Sequence, residues 1–378
     1  HSKQGPTMID FTVPKKDLTR LLASCVGVAD RKGAMPVLAN VLLTADDRLR
    51  VAATDLYLAM SGSTEASIAE RGSVAVPAKD FFERVKAMPD VPIHVSADKD
   101  AKVTIKAVGQ KRTYTISGIA GSDFPEIPPP PSSAMSIALT VEAFALLMNR
   151  THFSISPDTT RPMVNSALFE CEDTLVRMVS TDGHRLSKQD LASAGVGHAS
   201  ALIPQRAIAE LRRLMSEAKT GPLTIRLSST SAFFDVGGLL FSCKLIDAMF
   251  PPYAQVIPKQ SDCKVLLPRL GLVDALKAID IASNDETGGV KLALVPGALR
   301  ISSDSAENGN AFDELPTDYS GQERRFGVSA RYLLEALGTI DSDNVFLALS
   351  GELDPCVITA GEAVEGSDFV GVVMPMRL

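Results

Sequence analysis

The chain has 378 residues, 45% of them hydrophobic and 22% charged, with a net charge of −7 at neutral pH. This is enough chain for two or three domains of ordinary size. No segment approaches the roughly 20 uninterrupted apolar residues of a membrane-spanning helix, so a soluble protein with no membrane partner is expected, and an odd count of five unclustered cysteines suits a reducing, cytoplasmic compartment. The acidic balance argues against nucleic acid as a partner, although a polyanion responds only to the local field of the face it meets.

Residues 1–7 are polar and have no apolar stretch, so they read as a cloning remnant ahead of Met8 and not as a signal peptide. A first helix is predicted from Lys15 to about Val26, where Leu18, Leu21, Leu22, Cys25 and Val26 recur at helical spacing. Val41–Leu43 and Leu49–Ala52 read as strands around the turn Ala45-Asp46-Asp47. Phe81, Val85 and Met88 make the stripe of a second helix, and Val103–Lys106 with Arg112–Ile116 a further strand pair. Thr140 is a good N-cap with Glu142 in the first turn behind it, and Phe144, Leu147, Met148 and Thr151 continue that helix. Ile208, Leu211 and Met215 mark the next helix. Pro268 precedes another with Leu272, Leu276 and Ile279 on one face, and Ala330, Leu334 and Leu337 mark the last.

The elements repeat. An apolar-Pro or apolar-Ser step leads into an amphipathic helix at Val76-Pro77-Ala78-Lys79, Ile203-Pro204-Gln205-Arg206 and Val328-Ser329-Ala330-Arg331, about one third of the chain apart. Asn40 and Asn165 each close a loop before a strand, and Asp55, Asp182 and Asp304 each follow a strand ending in Thr or Ser. Proline marks two boundaries, Phe124-Pro125 through Pro131 and Phe250-Pro251-Pro252-Tyr253. The expectation is an α+β protein of three tandem modules, 8–128, 129–253 and 254–378, each with two helices and strands around them. Such a layout suggests a pseudo-symmetric assembly, not an enzyme built around one cleft.

The residues offer little chemistry. Cys25, Cys171, Cys243, Cys263 and Cys356 show no C-x-x-C spacing, so neither zinc nor a redox motif is implied, and Cys25 and Cys243 read as core residues. The five histidines, His1, His94, His152, His184 and His198, are too dispersed for a metal site. Ser180, Asp182 and His184 crowd together where a triad needs convergent groups from separate elements. There is no P-loop, no G-x-S-x-G and no dinucleotide fingerprint. No catalytic residue, metal or cofactor is expected.

Thr181-Asp182-Gly183-His184-Arg185-Leu186, Phe250-Pro251-Pro252-Tyr253 and the terminal Val373-Met374-Pro375-Met376-Arg377-Leu378 together resemble the bacterial DNA polymerase III β subunits, the sliding clamps. The resemblance runs from Met8 to Leu378. It implies three clamp domains, each of two helices and two antiparallel sheets. It also implies a head-to-tail homodimeric ring whose helices line a hole around double-stranded DNA. The ring would slide without sequence specificity, act as a polymerase processivity factor and carry out no chemistry. Implied partners are the catalytic subunit of the polymerase, the clamp loader, and other polymerases and repair proteins that share a short peptide with a Gln and apolar residues.

On this sequence the family's peptide pocket falls on Val164, Thr181, Gly183, His184, Arg185, Leu186, Pro251, Val256, Val372, Met374, Pro375, Met376 and Arg377. The apolar members suit a floor and the adaptable methionines suit several partners. His184 and Arg185 are expected to offer polar contacts at the rim. Gln255 and Pro355 depart from the better-known member, which has Arg and Ser there. Lys32 and Arg206 match DNA-contacting positions of the family. In the loop Pro157–Met163, where the better-known member has aromatics touching DNA, this sequence has Arg161-Pro162-Met163. Off the apolar stripes the helices carry Lys15, Lys16, Arg20, Lys79, Arg84, Lys86, Arg206, Arg212, Arg213, Lys277 and Arg331, a distribution suited to phosphate contact without base readout. The alternative is a repeat-built protein-binding scaffold that does not encircle DNA.

Overall fold

A computed structural model describes residues 8–29, 33, 35–193, 195, 197–258, 263–283, 289–305 and 308–377. Among them are six α-helices: α1 Lys15–Val26, α2 Ala78–Lys86, α3 Val141–Thr151, α4 Gln205–Ala218, α5 Arg269–Asp280 and α6 Ala330–Leu337. Every helix follows directly on a strand. Pro14, Pro77 and Pro268 stand at three of the junctions with φ of −58°, −54° and −64°. Proline ends a ladder, because it has no N–H to give, and its fixed φ already suits the first helical turn. The stripes read from sequence are the buried faces. Leu18, Leu21, Leu22 and Cys25 of α1, Phe144, Leu147 and Met148 of α3, and Leu272, Leu276 and Ile279 of α5 are all buried, while Val26, expected on the α1 stripe, is half-buried. In α6 the buried face is Ala330, Leu333, Ala336 and Leu337, while the expected Leu334 is half-buried.

The chain divides into two compact units that do not follow the thirds of the sequence. One comprises His1–Glu142 with Ala209–Leu245, the other Ala143–Ile208 with Ile246–Leu378. The first contains a five-stranded sheet (67–70, 9–13, 93–97, 102–107, 113–117 in spatial order) and a nine-stranded sheet. The nine-stranded sheet is made where Leu58–Thr64 of the first third pairs antiparallel with Leu239–Lys244 of the middle third, Met60 opposite Phe241. α1 packs on α2 and on the strands of this larger sheet. The second unit contains a four-stranded sheet (309–316, 298–305, 289–295, 324–329) and an eight-stranded sheet. Here Arg185–Ala192 of the middle third pairs with Ser367–Val373 of the last, Lys188 opposite Val370. α5 and α6 pack on one another over its core of Leu272, Leu276, Leu292, Leu333, Leu347 and Ile358.

One expected repeat shifts. Asp304 does not follow its strand: the strand runs Ala298–Ser305, and Asp304 pairs with Asn310 inside the hairpin. The sheet registers set Ser305, not Asp304, in step with Asp55 and Asp182, because this hairpin turn is one residue longer. All five cysteines are free and buried. Burial pushes the thiols of Cys25, Cys243 and Cys356 up to about 12, which keeps them protonated and inert.

Candidate docking site at the end of the eight-stranded sheet

The hairpin joining Leu175–Thr181 to Arg185–Ala192 turns through Asp182, Gly183 and His184 and is held by two short side chains. Asp182 Oδ1 accepts the N–H of His184 at 2.8 Å and of Arg185 at 3.1 Å. Thr181 Oγ1 donates to the Arg185 carbonyl at 2.6 Å and accepts the Gly183 N–H at 3.1 Å. Gly183 has φ +94°, left-handed backbone that favours glycine. Gly183 and His184 are left exposed at the tip. The terminal segment is pinned beside them, with the Met374 N–H donating to the His184 carbonyl at 2.9 Å and the Met376 N–H to the Gly327 carbonyl at 2.7 Å.

Arg185 turns inward. Its side chain is only 10% exposed, donating to Asp182 Oδ2 at 3.0 Å, to Glu335 of α6 and to the Phe153 carbonyl at 2.5 Å. Its guanidinium also stacks 4.3 Å from the Tyr332 ring centroid. A planar, multiply bonded guanidinium in this setting is a structural bolt between the turn and α6. It is not the free polar group at the rim that the sequence suggested. His184 alone fits that description.

Beneath the turn lies an apolar floor. Val164, Leu186 and Val372 are 5%, 3% and 1% exposed. Leu186 and Val372 belong to a cluster with Leu168, Val179 and Leu202, on which Phe250, Tyr253 and Ile257 of the Pro-rich segment pack. That segment carries Pro251, half-buried, and Val256, exposed. Met374, Pro375 and Met376 are half-buried and Arg377 is exposed. The turn, the terminal segment and the Pro-rich segment thus converge on one end of the sheet, and every expected pocket residue lies on them or, for Val164, on the loop before strand Ser166–Glu172. Gln255 is exposed and Pro355 half-buried.

Sequence reasoning missed two groups here. Arg161, read as part of a DNA-facing loop, donates to Asp158 Oδ2 at 3.0 Å and to the Asp182 carbonyl at 3.4 Å, against the docking turn. Tyr253, noted only as a landmark, donates its hydroxyl to Glu170 Oε2 at 2.7 Å and accepts from Arg177 at 3.1 Å. Arg177 in turn grips Asp190 with two hydrogen bonds of 2.7 and 3.0 Å. Burial pushes the Tyr253 phenol up to about 12, and Glu170 adds to the shift. Burial also opposes the charge on Asp190, but hydrogen bonds from Arg177 and Lys188 outweigh it and hold that carboxyl below its ordinary range.

Three family models of the DNA polymerase III β subunit match in succession: the N-terminal domain over residues 9–128, the central domain over 138–252 and the C-terminal domain over 254–377. The chain belongs to the DNA polymerase III β-subunit family, the sliding clamps. The β sliding clamp of Pseudomonas putida is 32% identical over 373 residues, covering 97% of this chain and 100% of that one. That of Escherichia coli K12 is 29% identical over 374 residues, with the same coverage. Among solved structures, the clamp of Bartonella birtlesii bound to griselimycin superposes with a TM-score of 0.91 at 30% identity, covering 98% of this chain and 100% of that one. A Pseudomonas aeruginosa clamp with a ligand gives the same four values. The family's function is therefore this chain's: a processivity factor for DNA polymerase III. The bare scaffold reading is not favoured.

A clamp needs cations that are free to meet phosphate. Several of the expected ones are engaged. Lys15 donates to the Met88 carbonyl, Arg84 pairs with Asp80, and Arg213 binds Glu210, Glu217 and the Ser24 carbonyl. Lys16, Arg20, Lys79 and Lys277 are exposed, and among the described residues none of them makes an ion pair. Arg206 is exposed in the first turn of α4. Lys32 lies outside the described residues. No helix of the described residues is long and apolar enough to cross a membrane, and no group of three His, Cys, Asp or Glu among them could hold a metal.

Proposed function

We propose that two copies of this chain join head to tail into a ring around duplex DNA. The ring holds the polymerase, and at other times the clamp loader or repair proteins, by a short peptide seated against Thr181–Leu186 and Met374–Arg377. Tethering is then the whole activity, with no reaction catalysed, and it is exercised on DNA in the cytoplasm. Contact with DNA runs through Lys16, Arg20, Lys79, Arg206, Lys277 and the loop carrying Lys32, without base readout, which is what sliding requires. The Bartonella relative, solved with griselimycin bound, supports a ligand-accepting surface in this family.

The observation that carries ring closure is the sameness of the two internal junctions. Leu58 stands opposite Cys243 at one, and Arg185 opposite Val373 at the other. Thr113–Ser117 is an edge strand of the five-stranded sheet and Gly309–Pro316 an edge strand of the four-stranded one. Counting along the ladders puts Gly309 in step with Leu58 and Arg185, and Ile116 in step with Cys243 and Val373. A third junction of the same kind sets Asn310 opposite Thr115 of the partner subunit and Glu314 opposite the partner's Lys111. It also covers two edges that would otherwise invite uncontrolled pairing. Ile281 agrees with this placement. It is 82% exposed, one residue past α5, in the step that Gly27 and Phe153 hold after α1 and α3. A Cβ on Gly27 would lie 2.9 Å from Glu210 of the middle third, and Phe153 packs on the core of the last third. Each of these positions faces the next module, so Ile281 faces the partner subunit's first module.

Directly opposed strand residues lie within disulfide reach. A chain carrying Asn310→Cys with Thr115→Cys is therefore expected to oxidise to a covalent species of twice 40.2 kDa. A folded chain that stays at 40.2 kDa by light scattering and forms no cross-link overturns the ring.

A further inference from the structure

Among the described residues, the Tyr253 hydroxyl makes the side-chain hydrogen bonds that tie the Pro-rich segment 250–257 to the sheet. Pro251 and Val256 flank the short 3₁₀ turn Tyr253–Gln255, and Phe250, Tyr253 and Ile257 hold the segment to the sheet by apolar contact alone, apart from Tyr253. Apolar contact is non-directional and lets a segment slide; a charged-acceptor hydrogen bond fixes it. The hydroxyl donates to Glu170 Oε2 at 2.7 Å and accepts from Arg177 at 3.1 Å. Those two residues are cross-strand neighbours, and Arg177 is fixed by its paired bonds to Asp190 on the next strand. The acceptor is thus built into a rigid ladder. Behind the segment, on the side of Leu168, Glu170, Ser200 and Leu202, lies an open groove of about 520 Å³.

We propose that Tyr253 is the positioning residue of the docking site: its hydrogen bond to Glu170 sets the place of Pro251 and Val256 and so the affinity for the partner peptide, without touching that peptide. This rests on the peptide-docking reading above. The probe is a short synthetic peptide carrying one Gln followed by apolar residues at its end, titrated against the full-length chain. Tyr253→Phe keeps the ring and its packing. It is expected to weaken the peptide roughly tenfold, the size of one hydrogen bond to a charged acceptor, and to raise amide hydrogen exchange across 250–257 while leaving exchange in α5 and α6 unchanged. Glu170→Gln retains an acceptor but not its charge and is expected to bind between wild type and Tyr253→Phe, whereas Glu170→Ala repeats the full loss, and the Tyr253→Phe, Glu170→Ala double variant is no weaker than either alone. Wild-type affinity and exchange in Tyr253→Phe overturn the positioning role while leaving the docking reading standing. If wild type itself ignores the peptide and Leu186→Asp changes nothing, the docking reading fails. The exchange measurement on 250–257 then still decides whether Tyr253 holds the segment.

Discussion

Two hairpin turns in this chain have the same backbone and opposite surfaces. At Thr54–Leu58, Asp55 Oδ1 accepts the N–H of Tyr57 and Leu58, and Thr54 Oγ1 donates to the Leu58 carbonyl and accepts the Leu56 N–H. At Thr181–Arg185 the same four bonds are made by the same two residue types. The strand from the next module arrives in the same way, Lys244 N–H on the Tyr57 carbonyl at 2.8 Å and Met374 N–H on the His184 carbonyl at 2.9 Å. The rims differ. The first turn carries Leu56 and Tyr57, with Lys244 Nζ 5.3 Å from the tyrosine ring centroid. The second carries Gly183 and His184 beside Met374. The first rim is filled by its own side chains. The second is bare over an apolar floor, and a cation that would cap it is replaced by a thioether. On the proposed docking reading, a repeated fold yields one site by changing what stands on the turn, not the turn.

Exchanging the rims breaks that comparison most severely. Gly183→Leu with Met374→Lys gives the second turn the closed surface of the first. Leu56 shows that the backbone admits such a side chain, since it sits at φ +74°. The fold is expected to survive, and peptide affinity to fall at least about a hundredfold, on the scale of losing a buried apolar anchor. Calorimetry with the Gln-containing peptide reads the loss; retained affinity would show that the rim is not the site.

The next effect is on stability. Arg185 and Leu58 occupy the same step of the two turns, yet one is a bolt and the other a buried apolar residue, 4% exposed. Arg185→Ala leaves Asp182 without its charged partner and strips the Tyr332 ring. A cost of about 3 kcal/mol is expected, as for a mostly buried pair broken on one side. Denaturant unfolding checks it. A loss below the level of an ordinary surface change would return Arg185 to the rim as a peptide contact.

Much of this was legible beforehand, and the reasons for the rest are physical. Helix stripes such as Leu18, Leu21, Leu22 and Cys25 are local, so their period reports the buried face directly. The step at Pro77, Pro204 and Ser329 is local too, and it revealed the modules. Strand pairing is not local. Nothing in Leu58–Thr64 says that its partner is Leu239–Lys244, because alternation fixes which face is buried and not which neighbour it meets. Asp304 was placed one step early because a longer turn looks, in sequence, like a displaced match. The docking residues came from resemblance to a family, which names positions but not orientations. That is why Arg185 was expected outward and Tyr253 was passed over.

The smallest effect sharpens the comparison from the side of the first turn. Leu56 holds left-handed backbone that an L side chain pays for, about 1 kcal/mol, and Gly183 in the same step does not. Leu56 is also 41% exposed, so little apolar burial is lost by removing it. Leu56→Gly is therefore expected to stabilise the chain by about 0.5 kcal/mol, the relief being partly offset by the greater freedom of glycine in the unfolded chain. It should leave peptide affinity at the second turn unchanged. If the variant is instead destabilised, Leu56 is held by contacts that outweigh its backbone, and the closed rim of the first turn is a packed structure in its own right, not simply an unoccupied copy of the second.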